Sequence, residues 1–165
     1  MTTNNLDIQR HDGTLILTLS DPKTRNALGP ELVQALNEEL DIFESNDQDR
    51  VLVLTGQDPA FCSGANVRRF SKELSKTQKK EIRPNGRIWE RMDSIKPSKN
   101  QIDPSSGALL PLRIHQLQKP SIAVINGYAI GVGMGLALAC DIRIGSDKAL
   151  FSEAFVNMGL IPGDG

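Results

Sequence analysis

The sequence predicts an α/β domain in which parallel strands are joined by right-handed crossovers. Two continuous apolar runs, Val51-Leu52-Val53-Leu54-Thr55 and Ser121-Ile122-Ala123-Val124-Ile125, each close on glycine. A shorter run, Ile142-Arg143-Ile144-Gly145, repeats the pattern. The order strand, loop or helix, strand, helix, strand is the one parallel sheets require. The three strand-then-glycine stretches read as successive turns of one coil, without a strict sequence repeat.

The elements follow in chain order. Leu6 and Ile8, then Leu15, Leu17 and Leu19, alternate with other residues on either side of Asp12-Gly13, which predicts a β-hairpin with a tight turn. Pro30 opens a helix at the position where a missing N–H costs nothing. Leu32, Val33, Leu36, Leu40 and Phe43 recur at helical spacing as far as Glu44. The run at 51–55, apolar and partly β-branched, predicts a strand buried on both faces. Helical spacing returns from Leu109 to Leu117 and is broken at Lys119-Pro120, ahead of the strand at 121–125. A helix over 132–140 precedes the last short run.

Residues 71–107 differ in character, mixing nine Lys and Arg with Glu, Gln, Pro and Ser around Trp89. Two readings stay open for this variable insertion: a solvated helix with a loop, or a lid whose cations meet phosphates.

Composition narrows the function classes. The 165 residues suffice for one domain with a buried core. A net charge of -1 and 4% aromatic residues leave no footprint for nucleic acid. Cys62 and Cys140 sit in small, apolar runs and read as buried residues of a reducing compartment. With His11 and His115 remote from them in sequence, no metal site is expected. No apolar run approaches the roughly 18 residues of a membrane span, and residues 1–12 lack the pattern of a signal peptide, so a cytoplasmic protein is expected.

Two glycine-rich segments carry the candidate chemistry. Phe61-Cys62-Ser63-Gly64-Ala65-Asn66 follows the first apolar strand, and its small residues let backbone approach a ligand closely. An ordinary strand-to-helix turn would use the same residues. Asn126-Gly127-Tyr128-Ala129-Ile130-Gly131-Val132-Gly133-Met134-Gly135 leads from the second strand into a helix. Glycines there each forfeit about 1 kcal/mol of helix propensity, which close packing or a ligand at the free N–H groups would offset. A dinucleotide-binding loop does not fit, because the glycines run G-x-G-x-G rather than G-x-G-x-x-G.

Taken in order, Arg25-Asn26-Ala27-Leu28, the run 51–56, Ala60 to Asn66, Lys119 to Gly133 and Cys140-Asp141-Ile142-Arg143 resemble the crotonase superfamily, the enoyl-CoA hydratase/isomerase family. The likeness spans about residues 7–165 and corresponds to about the first two thirds of a usual member. It implies a crotonase-like ββα spiral in one domain, 1–165, truncated at its C-terminus and lacking the C-terminal helical region. The chain's ending, Ile161-Pro162-Gly163-Asp164-Gly165, fits that expectation.

The resemblance further implies an acyl-CoA thioester as substrate, with coenzyme A part of the substrate and no permanently bound cofactor. Two backbone N–H groups, by position those of Ala65 and Val132, would hold the thioester oxygen. The implied binding set is Arg25, Ala27, Ser63, Gly64, Ala65, Asn66, Val67, Gly131 and Val132. A homotrimer or a pair of trimers is the implied assembly of the full-length protein.

The sequence departs from the family at the proton-transfer positions. The two hydratase glutamates are expected at Gly135 and Phe155, and neither residue can move a proton. Asp164 becomes the first candidate acid or base, with a turn aspartate as its alternative. Glu153, two residues before Phe155, is the second. The function read from the sequence is therefore enolate chemistry on an enoyl-CoA, either isomerisation or hydration. The alternative is a catalytically impaired CoA-thioester-binding or scaffold homologue.

Overall fold

The computed structural model describes residues 2–3, 5–66 and 107–155. The chain divides into two compact units, Met1–Ala65 with Pro104–Gly165, and Asn66–Asp103. Every element named below belongs to the first. Apart from Gly107, the insertion expected at 71–107 lies outside the described residues.

The N-terminal hairpin forms as its alternation predicts. Strands β2 (Leu6–His11) and β3 (Thr14–Leu19) pair antiparallel with His11 opposite Thr14, so Asp12 and Gly13 are the whole turn. Both turn residues have positive φ, the geometry that matches the right-handed twist of the flanking strands. A two-residue strand β1 (Thr2–Thr3) adds to the outer edge of β2.

From β3 onward every pairing in this sheet is parallel. Helix α1 (Pro30–Ser45) leads to β4 (Val51–Gly56), which pairs with β3. Helix α2 (Leu110–His115) precedes β6 (Ser121–Ile125), which pairs with β4. Helix α3 (Val132–Ala139) precedes β8 (Ile142–Gly145), which pairs with β6. The sheet order is thus β1-β2-β3-β4-β6-β8.

A second sheet runs alongside. Strands β5 (Ala60–Cys62), β7 (Tyr128–Ile130) and β9 (Leu150–Ser152) pair parallel in that order. Each follows a strand of the first sheet after a short bend, so one turn of the coil is strand, bend, strand. The sequence reading of 61–66 as a turn, and of 126–135 as a bend into a helix, is corrected here. Three-residue strands lie in both segments, too short to show a period of two.

The core fills one face of the larger sheet. Leu15, Leu17, Leu19, Leu52, Leu54, Ala123 and Ile125 meet Leu32, Val33, Leu36, Leu40 and Phe43 of α1 and Leu136 of α3 in a single buried cluster. The expectation that 51–55 is buried on both faces is half met. Leu52 and Leu54 are buried, whereas Val51, Val53 and Thr55 are only half-buried. The same alternation in β3 and β6 shows why: the helices cover one face more completely than the other is covered. Ile142, Ile144, Leu150 and Phe151 on the edge strands β8 and β9 are exposed.

Polar ties fix the helices to the sheet. The Lys119 ammonium donates to the carbonyls of Phe43 (2.6 Å) and Asn46 (2.9 Å) and lies 5.0 Å from the Phe43 ring centroid. It thereby satisfies carbonyls at the C-terminal end of α1, where the helix dipole favours a cation. Asp141 accepts from both the N–H (2.8 Å) and the hydroxyl (2.9 Å) of Ser121. Those bonds hold its carboxyl below the usual carboxylate range. Lys119→Met keeps the packing on Phe43 but removes two charge-assisted bonds. A loss of about 2 kcal/mol is expected, measured as a lower denaturant midpoint with an unchanged m-value.

Candidate functional site

The first bend begins where β5 ends. The Ser63 N–H donates to the Arg25 carbonyl (3.0 Å) and its hydroxyl donates to the Thr24 carbonyl (2.8 Å). The Leu28 N–H donates to the Gly64 carbonyl (2.8 Å), and Leu28 forms a parallel bridge with Ala65. In such a bridge Leu28 bonds to the residues flanking Ala65, so the N–H of Ala65 itself points away from Leu28.

Behind this lashing stands Asn26, wholly buried with φ of 60°. Its side-chain amide donates to the carbonyls of Gln57 (2.8 Å) and Ala60 (2.7 Å) and accepts from the Asp21 N–H (2.9 Å). Arg25 and Asn26 both adopt the left-handed conformation, Arg25 at φ of 57°. Two consecutive non-glycine residues there are strained, and the Asn26 bonds supply the compensation.

The second bend joins β7 to α3. Gly131 has φ of 52° and ψ of -127°, a region closed to residues with a side chain. Its N–H donates to the Ser152 carbonyl (2.9 Å), and its carbonyl accepts from the N–H groups of Met134 (2.8 Å) and Gly135 (3.1 Å). Val132 is the first residue of α3, so its N–H has no intrahelical acceptor.

The two bends touch through bare backbone. A Cβ on Gly64, whose φ is 91°, would stand 2.7 Å from the Ile130 carbonyl oxygen and 3.9 Å from the Val132 nitrogen. A Cβ on Gly133 would overlap the Cys62 carbonyl oxygen. Beneath them β5 and β7 pair with Ala60 opposite Tyr128 and Cys62 opposite Ala129. Among the described residues, no acceptor takes the N–H of Ala65 or of Val132.

The structure distributes the sequence-predicted residues unevenly around this contact. Ser63, Gly64, Ala65, Gly131 and Val132 are brought together by it. Ala27 is buried, its N–H bonded to the Thr24 hydroxyl (3.1 Å), and Arg25 is exposed with its guanidinium 5.7 Å from the Tyr128 ring centroid. Asn66 is half-buried at the end of the first described stretch. Glu153 is exposed just beyond β9, whereas the Phe155 ring reaches the Gly131 bend. Val67 and Asp164 lie outside the described residues. Sequence reasoning missed the supports, Thr24 and Asn26. A consecutive polar run ahead of Ala27-Leu28 was the only signal for them.

Both cysteines are buried thiols. Burial pushes the Cys62 thiol up to about 12, against a weaker opposing bond from the Gly64 backbone, and the Cys140 thiol up to about 11. Among the described residues no group of three or more His, Cys, Asp or Glu could hold a metal ion. None of their helices is long and apolar enough to cross a membrane.

Comparison with known proteins agrees with this fold. The family model for enoyl-CoA hydratase/isomerase matches residues 14–165. The chain is 33% identical over 152 residues to a mitochondrial enoyl-CoA hydratase of Pongo abelii, covering 91% of this chain and 43% of that protein. It is 29% identical over 162 residues to the 2,3-dehydroadipyl-CoA hydratase of Escherichia coli (strain K12), covering 98% and 54%. An enoyl-CoA hydratase from Polaromonas sp. JS666, known as a crystal structure, superposes with a TM-score of 0.74 at 32% identity, covering 97% and 55%. The chain spans about half the length of the curated relatives it matches.

Two outcomes are expected from the site's construction. Gly133→Ala forces the start of α3 away from Cys62 and should destabilise the fold by about 3 kcal/mol, read from thermal or denaturant unfolding. Both thiols should resist iodoacetamide at pH 8 in the folded protein and react fully in denaturant. The folded state holds these protons more tightly than the unfolded one, whose thiols titrate near the ordinary 9. Their stabilisation is therefore complete below pH 9 and is lost as pH rises toward 11 to 12.

Proposed function

The chain belongs to the enoyl-CoA hydratase/isomerase family and has its crotonase-type α/β fold, and from that premise we propose that it binds an acyl-CoA thioester and stabilises the enolate through the N–H groups of Ala65 and Val132. The contact of the two bends supports this most directly. Gly64 lies against Ile130 and Val132 with no side chain between, and neither amide is taken by an acceptor among the described residues. The E. coli relative is named for a CoA ester, which supports the same substrate class.

The proposed chemistry is proton transfer at carbon. When a base removes a proton from the acyl chain, the electron pair delocalises onto the thioester oxygen. Two fixed N–H donors meet the charge that develops there without reorganising. Removing one such donor costs about 3–4 kcal/mol. The donor from Val132 also stands at the N-terminus of α3, where the backbone dipoles favour negative charge. The two donors differ in setting, Val132 being buried and Ala65 exposed.

Asp164 is the proposed acid or base and Glu153 the second candidate. With Gly135 and Phe155 at the positions of the hydratase glutamates, double-bond isomerisation is the first reaction to test and hydration the second. The same two residues favour the other reading, a CoA-thioester-binding homologue without catalysis. Exchange of the α-proton of a bound acyl-CoA into deuterated water separates the two readings, since only the catalytic one produces it.

Val132→Pro is the sharpest probe of the donor. Proline is tolerated at the first position of a helix, so α3 should persist while the N–H is lost. Turnover of enoyl-CoA thioesters should fall by about 10²–10³ with the far-ultraviolet circular dichroism unchanged. Asp164→Asn should lower the rate comparably. A folded Val132→Pro protein with wild-type turnover would remove Val132 from the mechanism.

A further inference from the structure

The segment after β9 is held against the start of α3. The Ser152 carbonyl accepts from the Gly131 N–H (2.9 Å), and Ile130 pairs with Ser152 in the β7–β9 register. Three residues on, the Phe155 ring places its Cε2 and Cζ 3.7 Å from the point that a Gly131 Cβ would occupy. Only hydrogen stands between the ring and the bend, and the next residue, Val132, carries an amide with no acceptor among the described residues. Gly135 lies one helical turn beyond Gly131 on the same face, also without a side chain. Glu153, the nearest described carboxylate in this segment, is exposed. The ring therefore sets an apolar surface against the bend, one residue before the amide of Val132.

We propose that Phe155 is a specificity-determining residue, forming the apolar wall against which the hydrocarbon chain of the substrate packs beside the thioester carbonyl. The proposal rests on the CoA-thioester reading above and extends it to substrate choice. The wall favours thioesters of hydrocarbon acids over CoA itself or a CoA ester bearing a carboxylate near the carbonyl. Water is poorly placed on this side of the carbonyl, which directs the site toward moving a proton along the acyl chain.

The test is calorimetric binding of CoA, acetyl-CoA, butanoyl-CoA, octanoyl-CoA and succinyl-CoA to the wild-type protein, Phe155→Ala, Phe155→Leu and Phe155→Gln. The wild type should bind more tightly as the saturated chain lengthens and should disfavour succinyl-CoA relative to butanoyl-CoA. Phe155→Ala and Phe155→Gln should weaken octanoyl-CoA binding by roughly tenfold while leaving CoA unchanged. Phe155→Leu should restore most of the difference. If Phe155→Ala does not fold, the comparison of Leu with Gln decides the matter.

A residue that merely plugs the fold would weaken every ligand equally, and that pattern overturns the proposal. Wild-type affinity that is flat across chain length also overturns it, while the thioester reading stands. Failure of the wild type to bind CoA or any of its thioesters sinks both.

Discussion

Two stretches of backbone must lie in contact with no side chain between them, and the remainder of this architecture is arranged to permit it. Gly64 rests on the Ile130 carbonyl, and Gly133 rests on that of Cys62. Neither position can carry even a methyl group without moving a neighbouring main chain. The small second sheet follows from this need. Strands β5 and β7 bring the two bends side by side, and β9 anchors the second of them through Ser152. The larger sheet and its helices supply the buried apolar surface that stabilises this assembly.

A site built from main-chain amides separates binding from side-chain identity. The N–H of Ala65 or Val132 persists through most substitutions, so such a site can keep its hold on an oxygen while the surrounding groups diverge. Gly135 and Phe155 show that divergence in this chain. Two carboxylates expected from the family are replaced by an absent side chain and an aromatic ring. On the proposed reading, a site without those two carboxylates has fewer groups to titrate or to hold a water beside a developing anion. On that reading, the change would alter which reaction is easiest while the two main-chain donors keep their place.

How much of this was legible depended on length and on which physical signal an element leaves. The hairpin, α1, β4, β6 and α3 each run long enough, or carry enough turn chemistry, for a period or a glycine to mark them. The parallel order followed from strand alternation with crossovers. Strands β5, β7 and β9 did not show, because three residues cannot express a period and their pairing is wholly non-local. The uneven burial of β4 was hidden for a similar reason: composition gives an apolar run but not which face the helices cover. At the site, the resemblance located the bends, and Gly64 and Gly131 had a conformational signature. The role of Asn26 had none, since its four partners come from residues 21, 57, 60 and 61, brought together only by folding.

Asn26 also sets a limit on the protein's chemical lifetime. Its amide nitrogen stands among three carbonyl oxygens, those of Gln57, Ala60 and Phe61, and all are acceptors. Deamidation would exchange that donor for a carboxylate oxygen, putting negative charge where only a hydrogen atom fits and repelling both strand ends at once. Burial keeps hydrolysis from the side chain while the fold is closed. An Asn26 deamidated during a transient opening of this corner would yield an acidic species that has loosened its grip on the segment before α1.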